Sequence, residues 1–356
     1  MAPQPPPVRP RARIVGVIAF LVGFSLSLSL VRVTARPDPV ETGRSVLHEK
    51  FEALRTRTST PDIVFVGNSH VHRTVVPAVF DGRMAELGCT VTSYNLGVVG
   101  LRRNELPSVL DAIDALRGGP PPYVVIGPAL QLDIAYEGLS DLSTRSFYRS
   151  KDLGALVGRW QATDGIGGRN VPYVVGVYLG AQVPVGALHH LLHPERAQPV
   201  GAPPLLEAAR RDGYLSLEDE APFDPAIAAR EADLDAFVAS GGFAAALDPG
   251  RDATIDTRVF VSRWEDRLEA VGRSTPILLQ EPSVFYREAA QVEAAFRRAN
   301  PTVPVVNLAT PERLPQHLDP DEWFDRTHVR RGFAEAASVE LANQMCPIVQ
   351  ADRGTG

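Results

Sequence analysis

Three short runs of this chain are apolar at every position: Ile63-Val64-Phe65-Val66, Tyr123-Val124-Val125-Ile126 and Ile277-Leu278-Leu279. A strand with one wet face alternates apolar and polar residues. A strand that is apolar throughout is buried on both faces, as in a parallel sheet covered by helices on each side. Gly67 and Gly127 close the first two runs, and Pro276 and Gln280 bracket the third. Two weaker candidates, 90–96 and 303–307, bring the expected strands to five. Between the strands lie stretches with helical periodicity, about 77–87, 103–116, 258–271, 284–299 and 332–345. Strands alternating with helices imply parallel pairing through right-handed crossovers. The expected fold is α/β, a three-layer sandwich around a five-stranded parallel sheet.

The N-terminus constrains location. Residues 1–13 are rich in proline and arginine and read as a disordered cytoplasmic tail. Residues 14–31 carry no charge, and as a helix they would cover about 27 Å, close to the hydrocarbon thickness of a bilayer. Arg9, Arg11 and Arg13 precede the run and favour a cytoplasmic N-terminus, which puts everything after Arg32 outside. The expectation is one transmembrane anchor in the inner membrane with the rest on the periplasmic side. A cleaved signal peptide, with Val33-Thr34-Ala35 as its cleavage site, and a buried soluble helix are the alternatives. Residues 32–61 read as a tether with a lead-in helix near 45–54. Residues 62–134 and 257–348 read as two parts of the α/β domain, and 135–256 as an insertion or lid. Within it the uncharged stretch 171–192 is broken by Pro172, Gly176, Gly180, Pro184 and Gly186, so it reads as core or lid rather than a second span.

Composition removes several classes. The net charge is −6 and no basic block is present, which excludes a nucleic-acid binder. All but two of the 36 basic residues, Lys50 and Lys151, are arginine. Two cysteines, Cys89 and Cys346, make neither a disulfide scaffold nor a four-thiolate metal site. Outside the cytoplasm they could pair, but the sequence gives no distance between them, so the bond stays open. His189, His190 and His193 contain an i, i+4 pair without the glutamate of a zinc protease, and neither metal nor cofactor is expected.

Reactive residue types concentrate at two distant places. In Phe65-Val66-Gly67-Asn68-Ser69-His70 a serine ends the first strand just before a helix, where a strand-to-helix turn can present its hydroxyl. The same position suits a serine that merely caps that helix. In Asp325-Arg326-Thr327-His328 a carboxylate three residues before a histidine can fold back and hold the imidazole Nδ1–H, leaving Nε2 free to take a hydroxyl proton. In an open parallel sheet both segments fall at the carboxyl edge. His70 and His72, beside Ser69, line the mouth of such a site or form plain polar surface. Arg102 and Arg103 meet an anionic substrate or begin a helix.

These motifs, in this order, resemble the SGNH (GDSL-like) hydrolase superfamily. Gly67-Asn68-Ser69-His70 is similar to its first block, with Asn68 where the family usually has Asp. Tyr94-Asn95-Leu96-Gly97-Val98-Val99-Gly100 is similar to the second, with Gly100 at the oxyanion position, and Asp325 and His328 match the last. The resemblance implies a flavodoxin-like strand order, Ser69 as nucleophile, His328 as general base and acid, and Asp325 as the orienting carboxylate. It further implies backbone N–H groups of Ser69 and Gly100 in the oxyanion hole. The third block, Gly-x-Asn-Asp, is replaced by Gly127-Pro128-Ala129-Leu130-Gln131-Leu132-Asp133. Removing one oxyanion donor typically costs on the order of 2.7–4 kcal/mol, so Asn95, Asn104 and Gln131 are the candidate replacements. With its anchor, the chain resembles the membrane-bound branch that acts beside multi-span O-acyltransferases, such as the D-alanyl transfer and alginate acetylation proteins. That implies an esterase or O-acyltransferase moving a short, acetyl-type acyl group onto or off a cell-surface polysaccharide. The competing class is a catalytically idle domain that binds glycan or scaffolds a membrane-bound acyltransferase.

Overall fold

All five expected strands exist and pair in parallel. In this computed structural model the described residues are 45–101, 105–127, 203–248, 271–284 and 286–354, with isolated positions 20, 23 and 27. The strands are β1 (Ile63–Val66), β2 (Ser93–Asn95), β3 (Tyr123–Ile126), β4 (Thr275–Gln280) and β5 (Val305–Asn307). They form one sheet in the order β2-β1-β3-β4-β5. Ile63 pairs with Ser93 on one side and Tyr123 on the other, so β1 lies inside the sheet. The chain leaves β1 in one direction to make β2 and returns past it to make β3. The crevice outside the carboxyl ends of β1 and β3 is thus the topological switch point, where open α/β sheets place their sites.

The helices among the described residues are α1 (Ser45–Thr56), α2 (Ser69–Thr74), α3 (Pro77–Glu86), α4 (Leu106–Asp114) and α5 (Pro203–Arg211). They continue with α6 (Leu217–Glu220), α7 (Pro225–Ala239), α8 (Gly242–Leu247), α9 (Tyr286–Ala299) and α10 (Arg331–Gly354). Ile63, Phe65, Val125, Ile277 and Leu279 share one core with Phe80 and Met84 of α3 and Phe333, Leu341 and Met345 of α10. The Phe65 and Phe80 rings meet edge to face, centroids 5.1 Å apart. The intervening residues Val64, Val124 and Leu278 are equally buried, as strands covered on both faces require.

Several expectations need correction. β2 is three residues rather than seven, because Thr92 is diverted to Asp62, whose carboxylate accepts from its N–H at 2.7 Å. α10 runs past Pro347 to Gly354 instead of ending near 345. A proline forfeits one helical hydrogen bond, but Cys346 and Val349 on either side of it are buried in the core and carry the helix through. The expected helix 258–271 lies outside the described residues except at its last position, as does the stretch 171–192.

The chain divides into two compact units, residues 1–43 with 135–198 and residues 44–134 with 199–356. The region read as one insertion, 135–256, is therefore split, and its second half belongs with the sheet. Leu205, Ala208 and Leu215 pack with Val46 of α1, Leu217 and Ile227 pack with Phe324, and Leu234 and Phe243 enter the main core. The Asp/Glu/Ala-rich composition of these helices hides those few apolar anchors. Of the first unit only Phe20, Gly23 and Ser27 are described, each helical and exposed. The transmembrane helix expected over 14–31 otherwise lies outside the described residues and finds no support among them, where no helix is long and apolar enough to cross a membrane.

The open question of the cysteines closes. Cys89, just after α3, is bonded to Cys346 of α10, Cα atoms 5.7 Å apart across a sequence separation of 257. Such a bond restricts the unfolded chain and typically adds about 2–4 kcal/mol. Replacing Cys89 by Ser should lower the stability measured by urea denaturation by that order, and dithiothreitol should do the same to the wild type alone. Equal midpoints for both proteins under non-reducing conditions would contradict it.

Candidate active site

Helix α2 begins immediately after the turn that follows β1. Its N-cap is Asn68, whose side-chain Oδ1 accepts from the His70 N–H at 2.9 Å. Capping is thus done by the residue before the serine, and the Ser69 hydroxyl is released from that task. Ser69 Oγ instead donates to His328 Nε2 at 2.8 Å.

His328 is presented by a tight loop. Trp323 and Val329 form an antiparallel bridge, and the Phe324 N–H donates to the His328 carbonyl at 2.9 Å. Trp323 is fully buried against His317 and Phe333, which fixes the base of the loop in the core. Inside the loop Asp325 Oδ1 accepts from the Thr327 N–H at 2.7 Å, the Thr327 hydroxyl at 2.9 Å and the His328 N–H at 2.8 Å. His328 Nδ1 then donates to Asp325 Oδ2 at 2.8 Å. A carboxylate accepts only, so this contact puts the proton on Nδ1 and leaves the Nε2 lone pair toward Ser69. Burial alone would raise the Asp325 pKa, but hydrogen bonds from His328 and Thr327 hold it well below the ordinary carboxylate range. Arg230 of α7, partly exposed, adds a counter-charge 3.5 Å from Oδ2. Sequence reading had no means of finding it, since it comes from the region taken for surface helices.

The loop after β2 is drawn to the same edge. The Val98 N–H donates to the Gly67 carbonyl at 2.9 Å and the Leu96 N–H to the Phe65 carbonyl at 2.7 Å, which ties the loop to the end of β1. Beyond it Gly100 has φ +69°, a backbone conformation that favours glycine. Gly100 is exposed, and its N–H makes no backbone hydrogen bond among the described residues. Of the candidate replacement donors, Asn95 has another task. Its amide donates to the carbonyls of Val71 at 2.9 Å and Val75 at 2.7 Å, and its Oδ1 accepts from the Gly97 N–H at 2.9 Å. It is fully buried and splices the β2 loop onto α2. Asn104 and Gln131 lie outside the described residues, as do Arg102, Arg103, His189, His190 and His193. Among the described residues no three His, Cys, Asp or Glu side chains are grouped to hold a metal ion.

Two residues near Ser69 are not the plain polar surface that their alternation suggested. His72 is wholly buried, with Nδ1 3.0 Å from Lys50 Nζ. Lys50, also wholly buried, donates to the carbonyls of Asn95 at 2.9 Å, Gly97 at 2.6 Å and Gly213 at 2.7 Å. Burial, then the charge of Arg73, pulls its pKa well below the usual lysine value. Backbones approach closely here: a Cβ on Gly97 would lie 2.4 Å from the His72 nitrogen, so only glycine fits. The signal available in sequence was rarity, one of two lysines in a chain that otherwise uses arginine. His70 is half-buried, its ring edge to face with His328 at 5.3 Å between centroids. Burial, then the charge of His328, lowers its pKa to about 3.

A further group was missed. Glu281, just after β4, is buried, and among the described residues neither carboxylate oxygen has a hydrogen-bond partner. It lies so close over Gly127, at the end of β3, that a Cβ there would meet Oε1 at 2.0 Å. Burial pushes its pKa up to about 8. Comparison of the chain with protein-family models, with curated proteins and with solved structures found no match.

Two expectations follow for stability. Glu281 is protonated in the native state up to about pH 8 but ionises near 4.5 when unfolded. The native state therefore loses stability progressively as pH rises through that window, at up to ~1.4 kcal/mol per pH unit. Chemical denaturation from pH 4.5 to 8 should show this slope in the wild type and a flatter one in Glu281→Gln; parallel slopes would refute it. Lys50→Met leaves three buried carbonyls without a donor, each worth on the order of 1–3 kcal/mol. Its denaturation midpoint should fall steeply, and Lys50→Arg should fail to restore it because a planar fork cannot meet three carbonyls converging on one point. Wild-type stability in either variant would show the contact to be dispensable.

Proposed function

We propose that this chain is an SGNH-like serine esterase or O-acyltransferase, anchored in the inner membrane by residues 14–31, with its α/β unit on the periplasmic side. The observation that carries this reading is the hydrogen-bonded series Ser69 Oγ, His328 Nε2, His328 Nδ1 and Asp325 Oδ2, with both contacts at 2.8 Å. It joins residues 259 positions apart at the switch point of a parallel sheet. In the proposed reaction His328 takes the Ser69 proton as Oγ attacks an ester carbonyl, and Asp325 fixes the tautomer and stabilises the imidazolium. The backbone N–H groups of Ser69 and Gly100 receive the oxyanion. His328 then returns its proton to the departing alcohol, leaving an acyl-serine that passes to water or to a sugar hydroxyl.

The substrate reading is a short acyl group moved onto or off a cell-envelope polysaccharide, beside a multi-span membrane-bound O-acyltransferase that supplies the acyl donor. The disulfide supports the extracytoplasmic side, since such bonds persist in oxidising compartments. The uncharged run behind three arginines supports the anchor.

The full-length chain in detergent is to be treated with a fluorophosphonate probe and, separately, with p-nitrophenyl acetate. The wild type should label at Ser69 and turn over the ester. Ser69→Ala and His328→Ala should lose about 10³-fold or more in kcat while keeping the fold. Wild-type rates in both variants would sink the catalytic assignment. A folded wild type that never labels would favour the idle, glycan-binding or scaffolding alternative.

A further inference from the structure

The ring of His70 stands against that of His328 with no hydrogen-bond partner among the described residues. Its backbone N–H is consumed by Asn68, but neither ring nitrogen makes a hydrogen bond among the described residues. The residue is neither fully buried nor exposed, in contrast to the residues of the core beneath it. His72, two residues on, shows what a purely structural histidine looks like here: fully enclosed and held against Lys50. Edge-to-face contact with His328, 5.3 Å between centroids, sets the two imidazoles side by side. His328 Nε2 is the point where an acceptor hydroxyl must deliver its proton during deacylation.

Resting on the acyl-serine reading above, we infer that His70 is the acceptor-selecting residue of this site, holding the neighbouring hydroxyl of a vicinal diol while the reacting hydroxyl lies on His328. A neutral imidazole has one donor and one acceptor nitrogen, so whichever of the two faces the acceptor can hold one hydroxyl by a single hydrogen bond. Burial and the adjoining His328 keep the ring neutral at working pH, so it does not repel the imidazolium that forms next to it. In the step itself the acceptor oxygen bonds to the acyl carbon and its proton passes to His328 Nε2. The bond from the acyl carbon to Ser69 Oγ then breaks, and Oγ recovers that proton from His328. His70 forms and breaks no covalent bond; it chooses which alcohol is present. The acceptor class is a saccharide or other polyol with adjacent free hydroxyls.

The test uses p-nitrophenyl acetate as acyl donor with the full-length protein and two acceptors of identical composition, propane-1,2-diol and propane-1,3-diol. The readout is the ratio of acetylated diol to free acetate, which is independent of the overall rate and of any partial loss of folded protein. The wild type should favour the 1,2-diol several-fold over the 1,3-diol. His70→Phe should abolish that preference, and His70→Gln, which keeps one donor and one acceptor, should restore part of it. Equal ratios for the two diols in the wild type, or a preference that survives in His70→Phe, would overturn the inference while leaving the acyl-serine reading intact. Absence of any Ser69-dependent acetate release would overturn both.

Discussion

The amine of Lys50 is the contact on which the geometry of the carboxyl edge depends. It reaches from the lead-in helix α1 into the core and gathers three backbone carbonyls, from Asn95, Gly97 and Gly213, against the ring of His72. Those groups belong to three separated segments: the loop after β2, the turn after α5 and the helix that carries Ser69. Each carbonyl, buried without a donor, would cost more than the contact gains, so the lysine is fixed by the penalty of its absence. Asn95 completes the splice from the loop side by donating to Val71 and Val75 of the Ser69 helix segment. The loop bearing Gly100 and the helix bearing Ser69 are therefore one rigid piece. The proposed reaction, which places an oxyanion on two N–H groups, would need such a support.

The second support is the terminal helix and the loop in front of it. Trp323 seats the Asp325–His328 loop in the core, and α10 packs along α3, to which the Cys89–Cys346 bond ties it. Ser338 of α10 also accepts from the Val76 N–H at 2.9 Å, just after α2, while its own proton goes to the Ala334 carbonyl at 2.8 Å. Ser69 and His328 thus rest on elements that are bonded to each other, and their 2.8 Å contact is a property of the whole unit. Glu281 shows the opposite economy: a carboxyl kept in the core without a hydrogen-bond partner among the described residues, whose burial makes the stability of the fold depend on pH.

The sheet was legible because burial on both faces leaves a mark in one dimension: β1, β3 and β4 are apolar without interruption, and no solvated strand is. The Asp325 to His328 spacing was legible because the turn that closes it is local. Helices α5 to α8 were not, since two or three apolar anchors per helix vanish among Ala, Asp and Glu. Nor were the roles of histidine and asparagine near Ser69. A sequence alternating His70, Val71 and His72 reads as polar surface, and only the arrival of Lys50 from α1 turns one of the pair inward.

By itself the sequence determined the class of fold, the order of its strands along the chain, the positions of the serine and the D-x-x-H turn, and the uncharged N-terminal run. These follow from periodicity and from contacts within a few residues. Tertiary structure decided the rest: that Cys89 meets Cys346, that Asn68 rather than Ser69 caps the helix, that Asn95 and Lys50 hold the loop, that Arg230 reaches Asp325, and that Glu281 lies over Gly127. Apart from the Asn68 cap, which is local, each of these depends on a distance between segments far apart in the chain. Such distances are set by how helices and strands pack as a whole, which no local pattern encodes.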